Sequence, residues 1–241
     1  MRFDSHHVSS KVMIPIRSVY STAFPLTENP ISEGGAWDTQ NDPTLTSVRT
    51  EVVSGVHLAH GTMVSTGGFD DSCAQLIGFP RNHGIKGTVW KAGSITGTFI
   101  EVELHLAWYD RNASFDPGGG FGNTQVSGYE VNIAHDGAYA NIGRFKAPSL
   151  ISIGTNSPGS IGFTPATGDI FEAAVQYNTD GSADVTAWWT PVSTGIRSSF
   201  MTAHDTTPPK MAGNPGIGFY TSAAGNAQFG FTLVTAYALP S

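Results

Sequence analysis

The stretch Thr98–Asp110, TFIEVELHLAWYD, constrains this chain more than any other part of it. Ile100, Val102, Leu104, Leu106 and Trp108 fall on one parity, while Glu101, Glu103, His105, Ala107 and Tyr109 fall on the other. Successive side chains of an extended strand point to opposite faces. The run therefore reads as a β-strand with one face in a core and one face open. Its length makes it the expected central strand of a sheet.

Shorter runs repeat the pattern. Val56 and Leu58 alternate with His57 and Ala59 within Val48–Thr66. Phe171, Ala173, Val175 and Tyr177 share one parity, as do Val185, Ala187 and Trp189. The turn Asn178–Ser182, NTDGS, joins them into a hairpin over Ile170–Thr190. A hairpin over Gly128–Lys146 turns at Asp136-Gly137. In the closing run Ala227–Ala238, Phe229, Phe231, Leu233 and Tyr237 are expected on one face.

Three segments lack the pattern. Gly67–Phe79 is the least β-like and reads as a short helix or an irregular crossover. Arg111–Gly128 reads as a long Gly-rich surface loop, and Pro191–Gly213 as a Ser-, Thr- and Pro-rich loop. With no amphipathic helix and no internal repeat, many short strands imply an all-β, two-sheet antiparallel sandwich. A chain of 241 residues fits one such domain, and a hydrophobic content of 39% can fill its core.

Charge narrows the function. The net charge is −7 and no cluster of lysine or arginine exists to neutralise phosphates, so nucleic acid is not an expected partner. Cys73 is the only cysteine. That rules out an intramolecular disulfide and a Cys-based zinc site, and Cys73 reads as a small buried hydrophobe. No apolar run is long enough to cross a bilayer, so no membrane partner is expected. Met1–Tyr20 lacks the basic start, apolar middle and small-residue cleavage site of a signal peptide. The expectation is a protein packed into a particle, or one reaching the outside by a non-classical route.

Residues 1–22 read as an extended N-terminal arm ahead of a domain at 23–241. Val12, Ile14 and Ile16 alternate with Met13, Pro15 and Arg17. Pro15 cannot donate to a ladder. Such a strand belongs on the domain's own edge or pairs with a neighbouring chain in a homo-oligomer or larger particle.

The order of these features resembles a known family. Ala23–Asn41, AFPLTENPISEGGAWDTQN, gives an aromatic residue, an Asn29-Pro30 turn, Gly34-Gly35 and Trp37. The central strand, the Gly-Tyr hairpin and the hairpin with a polar-Gly-Ser turn follow. Pro215–Thr221, PGIGFYT, and a Phe-rich last strand close the chain. From about Ala23 to Leu239 this is similar to the concanavalin A-like lectin/glucanase jelly rolls of the laminin-G-like kind. The resemblance implies a jelly-roll sandwich with a sheet facing a groove, glycans as ligands and calcium at loop edges. It rests on strand order and turn residues, so it bears on fold more than on chemistry.

Three constellations could carry chemistry. Glu101, Glu103 and His105 would line one side of the groove, where two carboxylates and a histidine could do acid–base work on a sugar. Neighbours two apart on a strand lie about 6.6 Å apart at the backbone, which suits either hydrolytic geometry by choice of rotamer. The glucanase branch carries Glu-x-Asp-x-x-Glu there. This chain reads Glu101-Val-Glu103-Leu-His105-Leu106 instead: the middle Asp is absent, and Leu104 or Leu106 replaces the third acid. A lyase would use His105 or Tyr109 as base, with Arg49 or Arg144 on a uronate, but the signature motifs of such lyases are missing.

Sugar binding alone needs an aromatic platform and planar polar groups. Tyr109, Trp188, Asn132 and Gln176 are the chosen candidates, with Trp90, Tyr139 and Tyr220 as further aromatics. Trp188 and Trp189 are adjacent, so one should face in and the other out. For a metal, Asp110, Asn112 and Asp116 offer oxygen ligands of the kind calcium takes, without a known loop spacing. No other cofactor is expected; His6-His7 and the acceptor pattern Asn112-Ala113-Ser114 carry little weight.

The leading expectation is a non-catalytic structural or adhesive module with a lectin-like fold. It would be a virion component, a head decoration or a tail protein, able to bind glycans. The alternatives are a free carbohydrate-binding lectin and a glycan-cleaving enzyme working through Glu101, Glu103 and His105.

Overall fold

The computed structural model describes residues 17–39, 46–64, 71–96, 99–112, 124–146, 149–154, 160–209, 213–221 and 225–240. Most of the arm, residues 1–16, lies outside them. The strands are β1 (Val19–Thr22), β2 (Trp37–Thr39), β3 (Thr46–Val53), β4 (Val56–Gly61), β5 (Ser72–Leu76), β6 (His83–Lys91), β7 (Glu101–Asn112) and β8 (Thr124–Ala134). They continue with β9 (Ala140–Lys146), β10 (Ser149–Ser152), β11 (Ile170–Tyr177), β12 (Ala183–Thr190), β13 (Ser198–Asp205), β14 (Asn214–Tyr220) and β15 (Phe229–Ala238).

Two sheets form. Sheet A runs β3-β4-β15-β6-β11-β12-β13, with β1 also on β15; sheet B runs β5-β14-β7-β8-β9-β10, with β2 on β5. Strand β3 pairs antiparallel with β4 and parallel with β5, so it joins the layers. Residues 19–22, placed with the arm on sequence grounds, are the β1 strand on the domain's own sheet.

The layers close over one apolar interior. Val102, Leu104, Leu106, Val131, Ile133, Ile217 and Phe219 enter it from sheet B. Ile85, Val89, Ala173, Val175, Val185, Phe231 and Val234 enter from sheet A. Each of the Val, Leu, Ile and Phe side chains, fully buried, contributes about 1.5–3 kcal/mol, so the shared interior rather than any turn holds the sandwich together. The expected two-sheet jelly-roll sandwich is the fold.

The hairpins form as the alternation implies, β8–β9 turning through Gly137 at φ 74° and β11–β12 through Gly181 at φ 90°. Elsewhere the sequence pattern misleads. The crossover expected at Gly67–Phe79 contains β5, a strand buried at every position between β14 and β3. A strand covered on both faces needs no alternation, so period two is absent. The expected loop Pro191–Gly213 contains β13, the last strand of sheet A, which turns Met201 and Ala203 toward the core. The long loop after the central strand is shorter than expected, because Arg111 and Asn112 continue β7 and Thr124–Gly128 begin β8.

Two bulges reverse the parity of strands that the sequence reads as regular. In β7 the register shifts between Leu106 and Tyr109, and Ala107 sits at φ 48°. Leu106 and Ala107 both enter the core, and Trp108 is thrown to the opposite face, onto His105. An extra residue in one strand has this effect. In β15 the shift falls between Phe231 and Leu233. Phe229 and Phe231 are buried, Leu233 is 41% exposed, and Val234 and Ala236 fill the interior instead.

Candidate functional site

The outer face of β7 is polar but it is not open. Glu101, Glu103 and His105 are 6%, 1% and 0% exposed, which overturns the expectation of a solvated face. Strands β8 and β14 flank them, and Asp71 stands just before β5. Together Asp71, Glu101, Glu103, Glu130, Asn132, Phe145, Leu150 and Tyr220 line a cavity of about 290 Å³, with no basic side chain among them.

Glycines on β14 make room for this row. A Cβ on Gly218 would lie 2.1 Å from Glu103 Oε2 and 2.5 Å from His105 Nε2. His105 Nε2 is 2.9 Å from Glu103 Oε2, and the His105 ring stacks on Trp108 at 3.8 Å. Burial pulls His105 down to about 3 and pushes Glu103 well above the usual carboxylate range, with Glu130, Asp71 and Glu101 adding to the rise. Both shifts favour the neutral form of each group, which makes the contact a hydrogen bond rather than an ion pair. Nδ1 of His105 has no partner among the described residues. Placing the proton on Nε2, donating to Glu103, leaves no buried N–H orphaned.

Glu101 and Glu130 are shifted toward their neutral forms in the same way. Burial, then the charge of Asp71, raises Glu101 to about 8, and Tyr139 hydrogen-bonds it. Burial followed by Asp71 and Glu101 raises Glu130 well above its ordinary value, and Asn132 Nδ2 donates to its Oε1 at 3.1 Å. One oxygen from each of Asp71, Glu103 and Glu130 lies within 4.8 Å of the other two. At that range a pair of ionised carboxylates repels by roughly 3 kcal/mol at an effective dielectric of about 20. His105 is fully buried and does not line the cavity, so it is not placed to exchange protons with a ligand.

The carbohydrate candidates divide between the two sheets. Asn132 belongs to the acidic cavity. Tyr109 is buried, at 8% exposure, and offers no open ring. Trp188 and Gln176 share the outer face of sheet A, at opposite ends of one groove. The β11–β12 register sets Glu172, Ala174 and Gln176 opposite Trp188, Thr186 and Asp184. Trp189 points the other way, against the core. These residues, with Arg197, Tyr237 and Leu239, line a groove of about 520 Å³.

Each wall of the groove is fixed. Arg197 lies 3.9 Å over the Trp188 ring, and its Nε donates to Glu172 Oε2 at 2.8 Å. The other oxygen of Glu172 accepts from the Tyr237 hydroxyl. Tyr237 reaches β11 because Gly84, on the intervening β6, has no side chain; a Cβ there would stand 2.4 Å from the Tyr237 ring. Asp184 is held by Asn178 Nδ2 at 2.9 Å and His204 Nδ1 at 2.7 Å. Two aromatic rings, an amide, carboxylates and a guanidinium thus surround the small floor residue Ala174. Sequence reasoning missed Tyr237, Glu172 and Arg197, which adjoin Trp188 only through strand pairing and the following loop.

The calcium candidates Asp110, Asn112 and Asp116 lie outside the described side chains: the first two are described only as backbone of β7.

No protein-family model matches the chain, and no curated protein matches it by sequence. Solved structures do match. The carbohydrate binding module CBM66 from Bacillus subtilis is 12% identical, with 86% of this chain and 99% of that one covered, at a TM-score of 0.50. The exoplasmic/lumenal domain of VIP36 in its metal-free form is 11% identical, with 92% of each chain covered, at a TM-score of 0.51. At such identities the likeness is one of fold alone, and that fold is the two-sheet jelly roll that the sequence pattern led us to expect.

Proposed function

We propose that this chain is a non-catalytic glycan-binding module whose sugar site is the groove on the outer face of sheet A. One observation carries the reading: Trp188 and Gln176, an aromatic platform and a planar amide, lie in one groove with Tyr237, Arg197 and two carboxylates. A pyranose presents an apolar face to a ring and hydroxyls to planar polar groups, and the groove offers both. The carbohydrate-binding title of the Bacillus subtilis module that shares the fold supports the same reading.

Screening a glycan array and then titrating the best ligand by calorimetry tests it. Trp188→Ala is expected to weaken binding by about 2 kcal/mol, roughly thirtyfold, and Gln176→Ala by less. Binding unchanged by Trp188→Ala, or no glycan bound at all, contradicts the proposal.

The finer part of the reading puts the module on a virion, as a head or tail component docked through its arm. What supports it is residues 1–17, where Arg2, Lys11 and Arg17 face the single acid Asp4 and Val12, Ile14 and Ile16 keep strand parity. Deleting residues 1–16 spares β1, so the domain should stay folded while its incorporation into purified particles is lost. Full incorporation of the truncated chain would sink the docking role.

A further inference from the structure

We propose that the cavity on sheet B is a binding site for one hard divalent cation of the calcium class, held by Asp71, Glu103, Glu130 and the side-chain oxygen of Asn132. The site is independent of the glycan groove, which lies on the other sheet.

The geometry carries the proposal. The carboxylate oxygens of Asp71, Glu103 and Glu130 come from the start of β5, from β7 and from β8, and converge within 4.8 Å of one another. That spacing suits a single ion between them, since calcium takes oxygen ligands at about 2.3–2.6 Å. A second observation is independent of the acidic cluster. Asn132, 7% exposed, lines the same cavity and its Oδ1 has no hydrogen-bond partner among the described residues. Its Nδ2 is committed to Glu130 Oε1, which fixes the amide and leaves the oxygen as an acceptor without a donor. Oε2 of Glu101, in the same cavity, is likewise unpartnered and buried. Buried acceptors are ordinarily satisfied, and two unsatisfied ones beside three converging carboxyls are what a cation would satisfy.

Ligand chemistry selects the ion. Four oxygen donors from three carboxyls and an amide suit calcium, manganese or magnesium rather than a soft metal. Ligands from separate strands and a loop end give an irregular set, which calcium tolerates and magnesium does not. The cavity, about 290 Å³, leaves space for water to complete the shell. Cys73, Glu103 and His105 also converge and would suit zinc. His105, however, is engaged with Glu103 and stacked on Trp108, away from the cavity. It is placed to orient the Glu103 carboxyl from behind, as partners of metal ligands do.

The test uses the full chain, dialysed against chelator. Terbium, a luminescent calcium substitute, is titrated in, and calcium, magnesium and zinc are then used as competitors. The expected result is one saturable terbium site per chain, displaced by calcium at lower concentration than by magnesium. Glu130→Gln and Asn132→Leu should each weaken it by about 10–100-fold or more. If either variant fails to fold, calorimetry of calcium on the unmodified chain decides: one site supports the proposal and none overturns it. Displacement by zinc alone, abolished by Cys73→Ser, would also overturn it by assigning the ion to the other set. Binding that survives both oxygen-ligand substitutions places the ion elsewhere and equally defeats the proposal.

Discussion

His83 shows how one side chain can hold a local irregularity in place. It is fully buried, its Nδ1 lies 2.7 Å from the Pro80 carbonyl, and the Ala107 N–H donates to its Nε2 at 3.0 Å. A carbonyl only accepts, so Nδ1 carries the proton and Nε2 is the lone pair that satisfies the amide freed by the β7 bulge. Protonating Nε2 would set two N–H groups against each other. Burial accordingly lowers His83 to about 4, against the opposing pull of the Pro80 carbonyl. The unfolded chain takes up that proton near pH 6.5, while the folded chain resists until about pH 4. Stability from this group is therefore complete above about pH 6.5 and is lost as pH falls toward 4, amounting to about 3 kcal/mol at most. Urea denaturation at pH 7 and pH 5 should show a larger loss for the unmodified chain than for His83→Gln, which has no proton to gain. Parallel losses would rule this role out.

At the scale of the element, alternation was legible wherever one face of a strand meets water or polar neighbours. The β8–β9 and β11–β12 hairpins were read correctly for that reason. It failed at β5, whose residues are buried on both sides, and at β13, whose Ser and Thr residues look like loop. It also failed within β7 and β15, where bulges exchange the faces and move Trp108 and Tyr237 away from the parity they hold in the sequence. The row Glu101, Glu103, His105 was legible as titratable. Its burial was not, because its neighbours Asp71, Glu130 and Tyr220 come from distant parts of the chain: the residue before β5, β8 and β14. Contacts between elements also tie the sheets. Asp205, at the end of β13, accepts from Arg144 of β9 at 2.6 Å and from Tyr129 of β8 at 3.0 Å. Asp205→Ala leaves both donors without this partner across the sandwich. It should cost about 3 kcal/mol, the low end for a buried pair, since Arg144 keeps some contact with solvent. A denaturation midpoint unchanged by this substitution would show that the tie contributes nothing.

The whole molecule presents two unlike outer faces over one interior. Sheet B carries buried carboxyls around a cavity, while sheet A carries a groove walled by Trp188 and Tyr237. The core is common to both, so fold and function separate cleanly: the interior determines the jelly roll, and the outward parity of β11, β12 and β15 determines what can bind. The sequence alone pointed to Trp188 and Gln176 because adjacent tryptophans must face opposite ways and a planar amide lay on a neighbouring run. It could not supply Tyr237, which reaches the groove only across a glycine of the strand between. The most direct measurement is a backbone-amide NMR titration with a glycan found by array screening. Shifts are expected along residues 172–176, 184–188 and 237–239, and to vanish in Trp188→Ala. Shifts confined to residues of sheet B, or a glycan that binds without disturbing β11 and β12, would contradict the assignment of the groove.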